Sequence, residues 1–266
     1  MLRLVLIPLL TACSHKPEFN SYLEIVGDSG VGLEMQAVVG VDNQRFWIAT
    51  HETTWELWTL FQYSGIDPVD GVSGPTPPYV PMDFGMGIGG YPAISMTHYS
   101  ARQFCRWLSN RTGHFYRLPT ADEWITACAD STIGWHHENS DDRYQQVAQL
   151  KPNKFGIHDM LGNVAEWVDD PPNSPTRAWG QQVFGGGWDD ERAVIEPGFS
   201  RASKPDWQRQ DPQIPKSIWH LTDAQSVGFR VVRPMNPPDR REWDLWWSSQ
   251  VESINSIHSS QQRGER

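Results

Sequence analysis

An α+β fold, built as a single loop-rich domain with few regular helices and strands, is what the 266-residue sequence predicts, and three observations carry that prediction. Helical stripes such as Ala101, Phe104, Cys105 and Leu108 stand beside short strand-like runs such as Arg45–Thr50. The chain holds 22 glycines and 20 prolines together with 14 tryptophans, a composition in which irregular backbone is pinned by large buried aromatics. No linker divides it into halves with separate cores, and 38% hydrophobic content suffices for one sizeable domain. The formal net charge of −10, with no basic block to offset it, argues against nucleic acid or a broadly anionic membrane surface as partner.

Taken in order, residues 1–12 carry one charge, Arg3, followed by the apolar run Leu4–Leu10, and read as a short secretory signal. Leu10-Thr-Ala-Cys13 resembles the bacterial lipobox, so Cys13 is expected to be acylated and residues 13–22 to act as a polar tether. That implies an exported lipoprotein anchored to a membrane of the bacterial cell envelope, facing the periplasm or the surface, because acyl chains anchor stably. The run is far shorter than the roughly 20 apolar residues that a spanning helix needs.

The domain is expected over residues 23–234. Leu23–Val41 alternates loosely, as a hairpin or edge strands do, and Arg45–Thr50 is a clearer strand. A helix then opens on Thr53 with Glu56 three residues on, in the spacing of a capping box, and ends at Gly65, with Trp55, Trp58 and Phe61 near one face. His51 and Glu52 belong to that helix start. Residues 68–92 form a long Gly/Pro loop. Ser100 with Gln103 repeats the capping spacing ahead of the Ala101–Leu108 stripe and Gly113, and Thr120 with Glu123 gives a third, in which Pro119 fixes the approach and Trp124 anchors the helix. Cys105 and Cys128 fall inside these helices, either bonded to each other or buried as separate thiols. His136-His-Glu138 reads as a solvated loop.

The organising stretch is Asn153-Lys-Phe-Gly-Ile-His-Asp-Met-Leu-Gly-Asn-Val-Ala-Glu-Trp167. Phe155, Ile157, Met160, Leu161, Val164 and Trp167 supply burial while Gly156 and Gly162 permit a tight turn, so the pattern predicts a strand running into a turn that Asp159, Asn163 and Glu166 decorate with oxygen. Those oxygens either satisfy local amides or hold a cation. Strand-like Gln182–Trp188 and Val227–Arg233 follow. Residues 235–266 form an extension in which Trp243, Trp246, Trp247, Val251, Ile254 and Ile257 recur at helical spacing, as in a helix docked on its own domain or one meeting a partner or membrane surface; Ser259–Arg266 is expected to be disordered.

The organising stretch resembles the F-G-L-x-D-M-x-G-N-V-x-E-W signature of the formylglycine-generating enzyme (sulfatase-modifying factor) family. Arg117-Leu-Pro-Thr-Ala-Asp-Glu-Trp124 is similar to its R-L-P-T-E-A-E-W, and Gly185-Gly-Gly-Trp188 followed by Gly228-Phe-Arg-Val-Val-Arg233 to its G-G-S-W and G-F-R-V-V-R. The resemblance implies a C-type-lectin-like architecture, with Arg117, Thr120, Glu123, Trp124, Asn163, Trp167 and Arg230 as its structural motif residues. It also implies a structural calcium ion held at Asp159, Gly162, Val164 and Glu166, where Asp159 replaces the asparagine of some members.

The family's oxidases convert a sulfatase cysteine to formylglycine with copper held by two cysteines shortly after G-G-S-W. Here Asp189–Glu196 contains no cysteine, and Ala165 stands where many oxidases carry tryptophan. Copper is therefore not expected, since soft thiolates select Cu(I) and carboxylates do not replace them. The H-x-x-x-H-x-E iron pattern of the related sulfoxide synthases is missing, as are G-x-S-x-G and a P-loop lysine. No catalytic residue is assigned. The expectation is a lipid-anchored envelope protein that uses the domain to bind a protein or glycan, with no nucleic acid; the alternative is a formylglycine-generating oxidoreductase or another metal-dependent enzyme of the family.

Overall fold

The computed structural model describes residues 19–65, 74–174 and 181–248. The expected signal over 1–12, Cys13, most of the expected tether and the end of the extension lie outside the described residues. The described residues fold into two four-stranded sheets and four helices, the loop-rich α+β domain that the sequence predicts.

The first sheet has the order β1-β2-β3-β8 and is antiparallel throughout: β1 (Tyr22–Ile25), β2 (Gly32–Val39), β3 (Arg45–Ala49) and β8 (Val232–Pro234). Successive side chains of a strand point to opposite faces, and β3 is apolar on both. Trp47 and Ala49 enter a main core around Trp58, Phe104, Phe229 and Trp219, while Phe46 and Ile48 enter a second core with Trp124, Ile157, Met160 and Phe184. This sheet therefore separates the two cores. The second sheet, β6-β5-β4-β7, combines β4 (Ala165–Val168), β5 (Gln182–Phe184), β6 (Ser200–Ala202) and β7 (Val227–Gly228), with β4 and β7 parallel.

Two of the three expected helix caps are displaced. Helix α1 (Trp55–Gln62) starts after Thr54, which makes no side-chain cap bond. Thr53 is instead held by backbone bonds, its N–H donating to Phe229 O and its carbonyl accepting from Ala93 N, and Glu56 Oε1 accepts from Gly90 N at 2.7 Å. Glu56 thus ties down the long loop and closes no box. Helix α2 (His98–Thr112) is capped by Thr97, whose Oγ1 accepts from Ser100 N at 3.0 Å, so Ser100 lies in the first turn; Gly113 ends the helix in the left-handed conformation at φ 75°. Helix α3 (Ala121–Cys128) carries the complete capping box on Thr120 and Glu123.

Order is also reversed in the organising stretch, where the turn precedes the strand. Asn153 Oδ1 accepts from Phe155 N and Ile157 N, which bends the chain at its start. Asp159 and Asn163 then adopt positive φ of 54° and 55°, which extended backbone excludes, and β4 begins at Ala165. Gly162 is demanded by packing as well as by its φ of 72°, since a Cβ there would lie 2.0 Å from Trp135 O.

The extension docks on its own domain as far as it is described. In α4 (Trp243–Trp247), Trp243 and Trp247 join the main core against Phe115, with ring centroids 5.2 and 5.6 Å away. Gln103 Nε2 donates to Trp247 O, Trp247 Nε1 to Tyr116 O, and Arg102 Nε to Trp246 O. Val251, Ile254 and Ile257 lie outside the described residues. Cys105 and Cys128 are free and buried.

Candidate functional site

The organising turn is where the four motifs meet. Its backbone is stitched to the glycine turn after β5, Gly162 N donating to Gly185 O and Trp188 N to Asn163 O, and to the strand β7 approach, Ala165 N donating to Ser226 O. Trp167 Nε1 reaches Met96 O at 3.0 Å, locking β4 to the start of α2.

Inside this junction lies a fully buried ionic cluster. Arg230 grips Glu166 with two parallel bonds, Nε to Oε2 at 2.7 Å and Nη2 to Oε1 at 2.5 Å, and donates further to the carbonyls of Ala49, His158 and Asp159. Trp124 Nε1 adds a third donor to Glu166 Oε2 at 2.8 Å. Burial works against the charge of Arg230, yet Glu166, Glu52 and Asp159 together hold its pKa above the ordinary arginine value. A second buried pair, Arg117 to Glu123 at 2.6 and 2.7 Å, braces α3, so Arg117, Thr120, Glu123 and Trp124 act on architecture.

Two further carboxylates enter the cluster. Glu52 is fully buried; its Oε1 accepts from Asn163 Nδ2 at 3.0 Å, and its Oε2 has no partner. Asp159 Oδ2 accepts from Ala148 N at 2.6 Å, and its Oδ1 likewise has none. Burial raises the pKa of Glu52 well above the usual carboxylate range, with Asp159 as the next cause, and burial raises Asp159 as well. Asn163 is spent on this frame, accepting from Gln145 N at 2.8 Å while bonding Glu52. Glu52 was assigned from sequence to a helix start. Its partners lie far along the chain, so no local period marks it.

Calcium gathers six to eight oxygens. Of the side chains carried over for it, Glu166 has both oxygens engaged by Arg230 and Trp124, while Asp159 retains one free oxygen; Gly162 and Val164 could contribute backbone alone. The four-residue set as carried over does not fit the ion. Among the described residues no three His, Cys, Asp or Glu side chains converge as a metal cluster.

A polar pocket of about 260 Å³ opens beside the glycine turn, lined among others by Trp188, Asp189, Arg201, Lys204, Trp207 and Asp223. Asp190, the next residue of the acidic run, accepts Arg201 Nη1 on both oxygens at 2.6 Å and Gly187 N at 2.8 Å. Trp188 is fixed by its Nε1 bond to Gln225 O, and Trp207 packs edge-on against Trp167. A separate apolar cavity of about 270 Å³ between the 78–84 and 210–222 loops shares no lining residue with it.

The thiols lie elsewhere. Burial pushes the Cys128 thiol up to about 11 and Cys105 higher still, and neither lines the pocket. His136 bonds Glu138 at 2.5 Å in a loop, with Glu138 also accepting from Arg192 N.

A family model described as "Sulfatase-modifying factor enzyme 1-like domain" matches residues 26–235. The chain is similar to the Paenibacillus barcinonensis protein named chaperone protein LppX, with 28% identity over 114 residues, 30% of this chain and 40% of that protein. Its matches span from 14% to 40% of the length of such curated relatives. Among solved structures it is similar to Treponema denticola variable protein 1, with TM-score 0.58 and 18% identity over 80% of this chain and 99% of that one. It is also similar to PvdO from Pseudomonas aeruginosa, with TM-score 0.54 and 19% identity over 82% and 99%. These two likenesses concern the fold alone.

Proposed function

The chain belongs to the sulfatase-modifying factor enzyme 1-like family, and from that premise we propose that it is a member that binds without oxidising, exported and tethered through Cys13. The observation that carries the reading is Asp190, which lies in the Asp189–Glu196 stretch that matches the oxidases' copper cysteines and is ion-paired to Arg201 on β6. Cu(I) selects thiolates, and this stretch offers carboxylates, of which Asp190 is already bound to the Arg201 guanidinium. The two cysteines inside the domain are buried in helices as protonated thiols, so neither supplies the missing ligand.

The neighbouring pocket suits binding. Trp188 and Trp207 supply aromatic surface, and Asp189, Asp223, Arg201 and Lys204 place both signs of charge at its wall, a combination fitted to a glycan or a polar peptide. The similarity to a protein named as a chaperone supports a binding use. An envelope location rests on Leu10–Cys13; no described helix is long and apolar enough to cross a membrane.

Photo-crosslinking the mature chain in its own envelope fraction tests the reading. Captured ligand should fall about tenfold or more in Trp207→Ala, the loss typical of an aromatic anchor, and also in Lys204→Glu, which alters an exposed rim charge. Capture equal to wild type in both variants would remove the pocket from the account. In the same cells Cys13→Ala should leave the detergent phase, and unchanged partitioning would remove the tether.

A further inference from the structure

The apolar cavity between the 78–84 and 210–222 loops has a polar end. Tyr79, Val80, Met82 and Phe84 line one wall, and Asp211 and His220 belong to the other, around a volume of about 270 Å³. Both polar side chains are buried, Asp211 at 5% and His220 at 4% exposure. Asp211 accepts from two backbone groups, Gln213 N at 2.9 Å on Oδ1 and Ser217 N at 2.7 Å on Oδ2, which braces the loop and leaves each oxygen a further lone pair. Among the described residues no arginine or lysine is paired with this carboxylate, since Lys216 directs Nζ to the backbone carbonyls of Arg209 and Asp211. His220 supplies a second acceptor. Its Nε2 lies 3.1 Å from Thr76 O, and a carbonyl only accepts, so the ring proton sits on Nε2. Burial pushes the His220 pKa down to about 4, against the opposing effects of the Thr76 carbonyl and the nearby Asp211 carboxylate. The ring is therefore neutral at pH 7, and its Nδ1 lone pair meets no donor among the described residues.

We propose that this cavity binds a small organic ammonium ion, with its N–H groups donated to Asp211 and to His220 Nδ1 and its apolar body against Tyr79, Met82 and Phe84. Both open groups are acceptors, so the ligand must bring donors. A carboxylate bonds a cationic donor about twice as strongly as a neutral one, and aromatic faces attract the same charge. An anionic ligand would meet Asp211 with like charge. The volume lies just below the roughly 300–1,000 Å³ of drug-sized sites, which suits a compact single-ring amine better than a chain of sugars or residues. This ligand is distinct from that of the polar pocket beside Trp188, with which the cavity shares no lining residue.

Binding to the full mature chain is measured at pH 7 by NMR titration with three probes of similar shape: 2-phenylethylammonium, neutral 2-phenylethanol and anionic 3-phenylpropionate. The ammonium should bind about tenfold or more tightly than the alcohol, and the carboxylate more weakly than either. Asp211→Asn should weaken the ammonium about tenfold and leave the alcohol unchanged. Tyr79→Leu, at an exposed position, should weaken the ammonium about two- to fivefold, the loss of one cation–π contact. Equal affinity for ammonium and alcohol, or no saturable binding of the ammonium, would overturn the proposal. So would ammonium affinity unchanged in Asp211→Asn, or lost in Trp207→Ala, which lines the polar pocket instead. Where Asp211→Asn fails to fold, the ammonium-to-alcohol ratio of the wild type and its fall in Tyr79→Leu decide.

Discussion

Replacing Arg230 with alanine is expected to lower the unfolding free energy by about 3–5 kcal/mol, the cost of breaking a buried ion pair by removing one partner. The side chain is fully buried and its bonds reach Glu166 and the carbonyls of Ala49, His158 and Asp159, so it joins β3, the organising turn and β4 in one contact. Its loss leaves three buried carboxylates with no guanidinium among them. Arg230→Lys keeps the charge but not the planar fork, and should recover only part of the loss. Urea denaturation reads both: a midpoint unchanged in Arg230→Ala would show that the cluster does not hold the fold.

Deleting residues 235–266 should be comparably damaging, although the family match ends at residue 235. Trp243 and Trp247 are buried against Phe115, and losing a core tryptophan typically costs about 3–5 kcal/mol. Deletion also strips partners from Arg102 and Gln103, both buried polar side chains of α2. A chain ending at Ser248 retains these contacts and should melt like the full chain, while one ending at Pro234 should melt far lower or fail to accumulate. Equal melting of the two would make α4 an ornament of the domain.

Much of this architecture is legible in the sequence because it is local. The Ala101–Leu108 stripe, the run at Arg45–Ala49 and the box at Thr120 and Glu123 depend on residues a few positions apart, and each stands where its pattern puts it. The same spacing misleads at Thr53 and Ser100, because it marks a pair of residue types without showing which backbone N–H is free. At Thr53 that N–H already donates to Phe229 O, and at Ser100 it donates to Thr97 Oγ1. The turn-before-strand order was hidden because Asp159 and Asn163, neither a glycine, take the left-handed conformation. At the site, the motifs identify Glu166, Asn163 and Arg230 but not who bonds to whom. Glu52 joins Asn163, and Arg230 joins Glu166, only once strands from both sheets are assembled.

The claim that this family member binds without oxidising is tested most directly by chemistry on a peptide. The purified mature chain is supplied with copper, reductant and oxygen, and incubated with a sulfatase-type cysteine peptide, whose mass is then measured. The account predicts a peptide recovered with its cysteine intact, because the Asp189–Glu196 stretch, where thiolates would hold the metal, carries Asp190 ion-paired to Arg201 and no cysteine. Oxygen-dependent conversion of that cysteine to formylglycine, at a rate proportional to the protein added, would contradict it.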